Sequence, residues 1–193
     1  MEWFELPRFR DRADAGRRLA DQLTGYADRP DVLVLGLPRG GVPVAFEVAS
    51  RLHAPLDVFV VRKLGVPGYE ELAMGAIASG GMRVLNTDVV RGSGVPGQAI
   101  EAVTAVQQRE LERREQLYRG SRPLPEVTGH TVILVDDGLA TGATMRAAVQ
   151  ALRQRQPASL VVAVPVAAPR TCDALRSEAD HVVCAETPPL FGA

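Results

Sequence analysis

The sequence is poor in the residue types that carry most redox and metal chemistry. Two cysteines, Cys172 and Cys184, and three histidines occur in 193 residues. Two cysteines make neither a disulfide framework nor a metal site. The histidines are scattered without ligand spacing, so both types are expected as core or surface filler. Lysine is almost missing. Of 22 basic residues, all but Lys63 are arginine. An excess of either charge is also lacking, since the net charge is -1, and this argues against a broad basic surface for nucleic acid. Long hydrophobic runs are absent too. The longest, around Leu160 to Ala168, is too short to cross a bilayer. The start, MEWFELPRFRDRADAGRRLA, is too charged for a signal peptide. The expectation is a soluble cytoplasmic protein with no membrane or nucleic-acid partner.

What is present is ordinary globular material, 46% hydrophobic and 23% charged, in a length that suits one domain. Arg12 to Leu23 reads as a helix with Ala13, Leu19, Ala20 and Leu23 inward and its arginines outward. DVLVLGL, LDVFVV, MRVLN, TVILVDD, LVVAVPV and HVVCA read as strands. Helical patterns follow in VPVAFEVASRL, Gln98 to Tyr118, Thr144 to Arg155 and Thr171 to Glu178. Gly65 to Gly81 is glycine-rich and weakly patterned, and reads as a long flexible loop with a short strand near Met74 to Ala78. Strands alternate with helices, and the strands are continuous apolar runs. That predicts a single α/β domain over residues 1–193, with a mainly parallel twisted sheet covered by helices on both faces.

Ligands of such folds bind beyond the carboxyl ends of the strands, and three strand ends carry polar chemistry. In VDDGLATGAT, a buried run meets Asp136 and Asp137, then a loop with Gly138 and Gly142, then a helix start at Thr144. Loop N–H groups and the helix N-terminus favour a phosphate, and Thr141 and Thr144 add hydroxyls. The two carboxylates suit ribose hydroxyls or a magnesium ion. The spacing fits neither a Walker A loop nor GxGxxG. One aspartate alone would as readily cap a turn. In GLPRGG, Gly40 and Gly41 let backbone approach an anion, and Arg39 offers a charged fork; the alternative is a plain helix-entry turn. Arg62 and Lys63 end the LDVFVV run, either as anion contacts or as solvated residues.

The run ILVDDGLATGAT is similar to the 5-phosphoribosyl 1-pyrophosphate (PRPP) motif of type I phosphoribosyltransferases. FRDRADAGRRLA and LNTDVV resemble a bacterial subfamily of phosphoribosyltransferases predicted from sequence. The resemblance covers most of the chain. It implies that Asp136 and Asp137 hold the ribose hydroxyls and Mg²⁺, directly or through water. It implies that Ala140, Thr141, Gly142, Ala143 and Thr144 wrap the 5-phosphate and that Gly138 and Leu139 also belong to the PRPP-binding run. Pro38, Arg39, Gly40 and Gly41 then resemble the pyrophosphate loop, and Arg62 and Lys63 a basic pair aimed at the same group. Asp136, Asp137 and Lys63 become the catalytic candidates. Several family members carry a cis peptide where Pro38–Arg39 stands here, and the flip would turn the N–H groups of Arg39, Gly40 and Gly41 toward one oxyanion. Gly65 to Gly81 corresponds to the family's closing loop, where Tyr69, Glu70 and Glu71 have no assigned role.

The implied reaction displaces pyrophosphate from ribose C1 by a ring nitrogen of a nucleobase-like acceptor, in a homodimer with Mg²⁺ as cofactor. Ala140 stands where 6-oxopurine enzymes usually carry aspartate, which disfavours hypoxanthine and guanine. Related chains continue beyond PPLFGA, so the sequence is expected to be truncated or cut from a longer fusion. The competing readings are a non-catalytic PRPP-binding regulator on the same fold and a phosphate-binding protein of another α/β class.

Overall fold

A computed structural model gives the fold, and it describes residues 9–189. In chain order the elements are α1 (Arg12–Asp21), β1 (Val32–Gly36), α2 (Gly41–Leu52), β2 (Leu56–Val58), β3 (Val61–Val66), β4 (Tyr69–Ala78), β5 (Met82–Leu85), α3 (Thr87–Ser93), α4 (Gly97–Arg119), β6 (Thr131–Val135), α5 (Ala143–Arg153), β7 (Ser159–Val166), α6 (Pro169–Leu175) and β8 (His181–Glu186). Five strands form a parallel sheet in the order β2-β1-β6-β7-β8. The expected α/β architecture, with helices on both faces, is what the chain adopts.

The continuous apolar runs divide by residue parity, because successive strand side chains point to opposite faces. Val32, Val34, Ile133, Val135, Val161 and Ala163 pack under α1 and α2. Leu33, Leu35, Val132, Leu134, Leu160 and Val162 face Met145, Ala148 and Leu152 of α5 and Leu175 of α6. Both faces being buried explains why no alternation is visible in these strands. α1 and α2 cross tightly at Gly16, where a Cβ would lie 2.7 Å from Glu47 Cβ and 2.9 Å from the Val44 carbonyl oxygen. Asp11 caps α1, its side chain accepting from the Asp14 N–H at 2.7 Å.

Three sequence readings are corrected. Gly65 to Gly81 is no loose loop. β3, β4 and β5 form an antiparallel sheet, and Leu64, Val66, Met74 and Ile77 bury a third core with Ile100 and Leu111 of α4. Its glycines serve close approach rather than mobility. A Cβ on Gly75 would collide with the Val84 carbonyl oxygen, and Gly65 sits at a register shift opposite Glu70 and Ala73, where a Cβ would lie 2.5 Å from the Glu70 carbonyl oxygen. Second, the LDVFVV strand breaks after Val58, so Arg62 and Lys63 lie within β3 and not at the end of a sheet strand. Third, Cys172 of α6 and Cys184 of β8 are joined as a disulfide. Fold proximity pairs them across 12 residues of sequence, a relation that cysteine count alone does not reveal.

α4 is locked to the sheet edge through a buried ion pair. The Arg119 side chain, 4% exposed, places Nε 3.1 Å from Asp57 Oδ1, and its Nη2 donates to the Val58 carbonyl at 2.8 Å. Among the described residues, no helix is long and apolar enough to cross a membrane.

Candidate functional site

β1 and β6 are neighbours, in register from Val32↔Thr131 to Gly36↔Val135. Their carboxyl ends therefore deliver two loops to one corner. Residues 38–41 leave β1 and turn into α2. Residues 136–142 leave β6 and turn into α5. The Leu37 N–H donates to the Val135 carbonyl at 2.8 Å, which fastens the first loop to the second. Contact between them depends on glycine. A Cβ on Gly40 would fall inside the Asp137 carboxylate, and one on Gly41 would lie 2.7 Å from the Val135 carbonyl oxygen and 2.8 Å from Asp136 Cα.

The Pro38–Arg39 peptide is cis, as expected. The donor set differs from expectation in one respect. The Gly41 N–H donates to the Leu37 carbonyl at 2.9 Å, because it opens the first turn of α2. Arg39 and Gly40 are left as the loop's N–H donors toward a ligand.

In the second loop, Asp136 Oδ1 accepts the Asp137 N–H at 2.8 Å. Burial is the main influence on the Asp136 carboxyl and pushes it up to about 7; that N–H bond opposes the rise, and the negative charge of Asp137 adds to it. Leu139 is 2% exposed. Its N–H donates to the Val166 carbonyl and its carbonyl accepts the Ala168 N–H, both at 2.9 Å. Leu139 thus anchors the loop on β7 and has no polar group to spare for a phosphate, which corrects its place among the expected contacts. Gly142 adopts φ +73 at the start of α5, and a Cβ there would lie 2.5 Å from Thr171 Cγ2. Glycine meets both demands. The Thr171 hydroxyl donates to the Ala140 carbonyl at 2.6 Å. Thr141, Ala143 and Thr144 remain exposed at the rim, and Gly138 and Ala140 are half-buried.

Two residues that sequence reading left unassigned complete this corner. Thr171 is one. Arg12 is the other: its Nε and Nη2 both donate to Asp137 Oδ2, at 2.9 and 2.8 Å. Nothing local announces a pair 125 residues apart.

Arg62 and Lys63 have other partners. Arg62 Nε donates to Gln107 Oε1 on α4 at 3.0 Å, and its burial lowers the guanidinium pKa. Lys63 Nζ lies 3.2 Å from Glu71 Oε2 across the hairpin. Both line a cleft of about 560 Å³ between the hairpin and α4, with Gly65, Glu70, Val103 and Gln107. Among the described residues neither is bonded to the loop 38–41 or to the aspartates, so the expected basic pair is not gathered at this corner. A second cleft, of about 440 Å³, opens between Ala143, Arg146 and Gln150 of α5 and Gly75, Val84 and Asn86 beside it.

Mg²⁺ prefers one or two carboxylates plus substrate phosphates to an all-protein cage. Asp136 and Asp137 match that demand. Among the described residues no group of three or more His, Cys, Asp or Glu could form a cage.

A doubly covered parallel sheet, with two anion-type loops flanking a carboxylate pair, is the arrangement of type I phosphoribosyltransferases. The profile of the phosphoribosyl transferase domain family matches residues 3–191, and the chain belongs to that family. It is 52% identical over 185 residues to a Mycobacterium tuberculosis protein named as a candidate phosphoribosyl transferase, covering 96% of this chain and 42% of that one. The chain thus spans about two-fifths of the length of the curated relatives it matches. A crystal structure from Thermus thermophilus superposes with TM-score 0.84 at 45% identity, over 97% of this chain and 88% of that one. A Staphylococcus aureus hypoxanthine phosphoribosyltransferase shares the fold, with TM-score 0.52 at 16% identity over 93% and 74% of the two chains.

Proposed function

We propose that this chain transfers the 5-phosphoribosyl group of PRPP to a ring nitrogen of a nucleobase-like acceptor, releasing pyrophosphate. One observation carries the reading: Gly40 of one anion loop lies directly on the carboxylate of Asp137 in the other. A ligand seated there meets phosphate donors on two sides and hydroxyl acceptors between them, which is the polarity of PRPP.

In this reading Gly138, Ala140, Thr141, Gly142, Ala143 and Thr144 hold the 5-phosphate at the start of α5, where N–H groups and the helix dipole favour an anion. Asp136 and Asp137 accept hydrogen bonds from the ribose hydroxyls. Pro38, Arg39 and Gly40 receive the pyrophosphate. The C1–oxygen bond to pyrophosphate breaks as the acceptor nitrogen bonds C1, and the acceptor's N–H proton passes to the departing pyrophosphate or to water. Mg²⁺, when bound by the aspartates and phosphates, supplies charge neutralisation. The residues contribute orientation and fixed dipoles, the main sources of rate in a displacement without a covalent enzyme intermediate.

Isothermal titration with PRPP and Mg²⁺ tests the site, and pyrophosphate release with adenine, guanine, hypoxanthine, xanthine, uracil and orotate tests the transfer. Saturable PRPP binding with release for at least one base is expected. Binding without release for any base assigns the chain to the non-catalytic regulators, and no binding at millimolar PRPP overturns the reading.

A further inference from the structure

Arg12 stands outside every loop that builds the candidate site, yet its side chain reaches the carboxylate pair. We propose that Arg12 is a positioning residue of the ribose site, holding the rotamer in which the Asp137 carboxylate accepts a ribose hydroxyl. The inference rests on the phosphoribosyl-transfer reading and adds a residue to it.

The geometry supports this in three ways. Two guanidinium nitrogens converge on one oxygen of Asp137, at 2.9 and 2.8 Å. A two-pronged contact of this kind restricts the carboxylate's rotation more than a single lysine contact would. The platform is also rigid. Arg12 is the first residue of α1, behind the Asp11 cap, and α1 is clasped against α2 at Gly16. Finally, Gly40 closes the opposite side of the same carboxylate. Asp137 is held between a loop backbone and an arginine.

Fold stability does not account for the pair. The Arg12 side chain is 60% exposed and that of Asp137 34%, and exposed ion pairs contribute little to stability. What distinguishes this one is where it lands.

The test uses Arg12→Gln and Arg12→Lys in the full chain, titrated with PRPP·Mg²⁺ and separately with metal-free inorganic pyrophosphate, with a thermal melt of each variant. Metal-free pyrophosphate lacks both the ribose and the cation that the aspartates would hold, so it reports the 38–41 loop without Asp137. For Arg12→Gln the PRPP Kd is expected to rise about tenfold, while the pyrophosphate Kd changes by less than about twofold and the melting point stays close to wild type. Arg12→Lys, which keeps the charge but loses the fork, recovers part of the PRPP affinity. If Arg12→Gln does not fold, Arg12→Lys decides by the same ratio of the two affinities. Unchanged affinity for both ligands, or equal weakening of both, overturns the positioning role while leaving the phosphoribosyl reading intact. Wild-type protein that binds neither ligand overturns both.

Discussion

Asp136 sits where the sheet's apolar interior meets the site, and that position sets its chemistry. Burial holds its carboxyl at about 7 instead of the ordinary 3.8. Between about pH 4 and 7 the native state then binds more protons than the unfolded chain, so this group's contribution to stability declines as pH rises through that window. Asp136→Asn removes the titration while keeping shape and an acceptor for the Asp137 N–H. It should therefore stabilise the protein at pH 8 by roughly 1–3 kcal/mol, bring no gain at pH 4, and abolish PRPP binding. Thermal melts across pH read the first two, and equal gains at both pH values would refute the account. The double variant Asp136→Asn, Asp137→Asn should still unfold cooperatively, because neither side chain fills the core; loss of a cooperative transition would make the pair structural. Thr171→Val tests the support of the phosphate loop. It deletes the hydroxyl bond to Ala140 and keeps the methyl group beside Gly142, so about 1 kcal/mol of stability should go, together with part of the affinity for the 5-phosphate. At this scale the sequence was readable where chemistry is contiguous. Asp136, Asp137 and the loop after them announce themselves because one strand end carries them all. The Arg12–Asp137 contact does not, since it is made by the packing of α1, and Leu139 misleads because an apolar residue in a polar loop can serve as its anchor.

Among the elements, the hairpin of β3 and β4 departs most from what its residues suggest. Glycine and weak periodicity read as looseness, but Gly65 and Gly75 are spaces into which neighbouring backbone fits. Periodicity weakens because one face of the hairpin packs on α4 while a register shift interrupts the other rows. Hydrogen exchange without ligand should show protected amides at Arg62 and Ile77, which face each other across β3 and β4 in step with the Ser79 N–H bond to the Val60 carbonyl. Exchange there at the rate of an unstructured peptide would restore the mobile-loop reading. Gly75→Ala should loosen the same amides, because its methyl meets the Val84 carbonyl. The α4 clamp gives a second element-scale expectation. Arg119→Ala leaves the Asp57 carboxylate buried beside Glu115 without its cation, and breaking such a pair costs about 3–5 kcal/mol. Urea unfolding would read this directly, and a loss below about 1 kcal/mol would mean that solvent reaches Asp57.

For the molecule as a whole, alternation of apolar runs with helices was enough to give the sheet its class, since both faces of every central strand are covered. The antiparallel second sheet and the Cys172–Cys184 link were not readable, because each depends on which segments the fold makes neighbours. The central pairing of β1 with β6 joins segments about a hundred residues apart. It also sorts the candidate site into two parcels of sequence: Arg12 and the 38–41 loop come before α4 ends, and the aspartates and the phosphate loop come after. Residues 121–123, between the parcels, are exposed, a setting in which chain breaks are tolerated. On the phosphoribosyl-transfer reading, a protein cut there would be two polypeptides, each carrying part of the ligand's contacts, and PRPP would act as the bridge that rewards their reunion. Reconstitution of the pair, followed as fragment association with and without PRPP and Mg²⁺, would make the nucleotide precursor a chemical switch for bringing two attached proteins together.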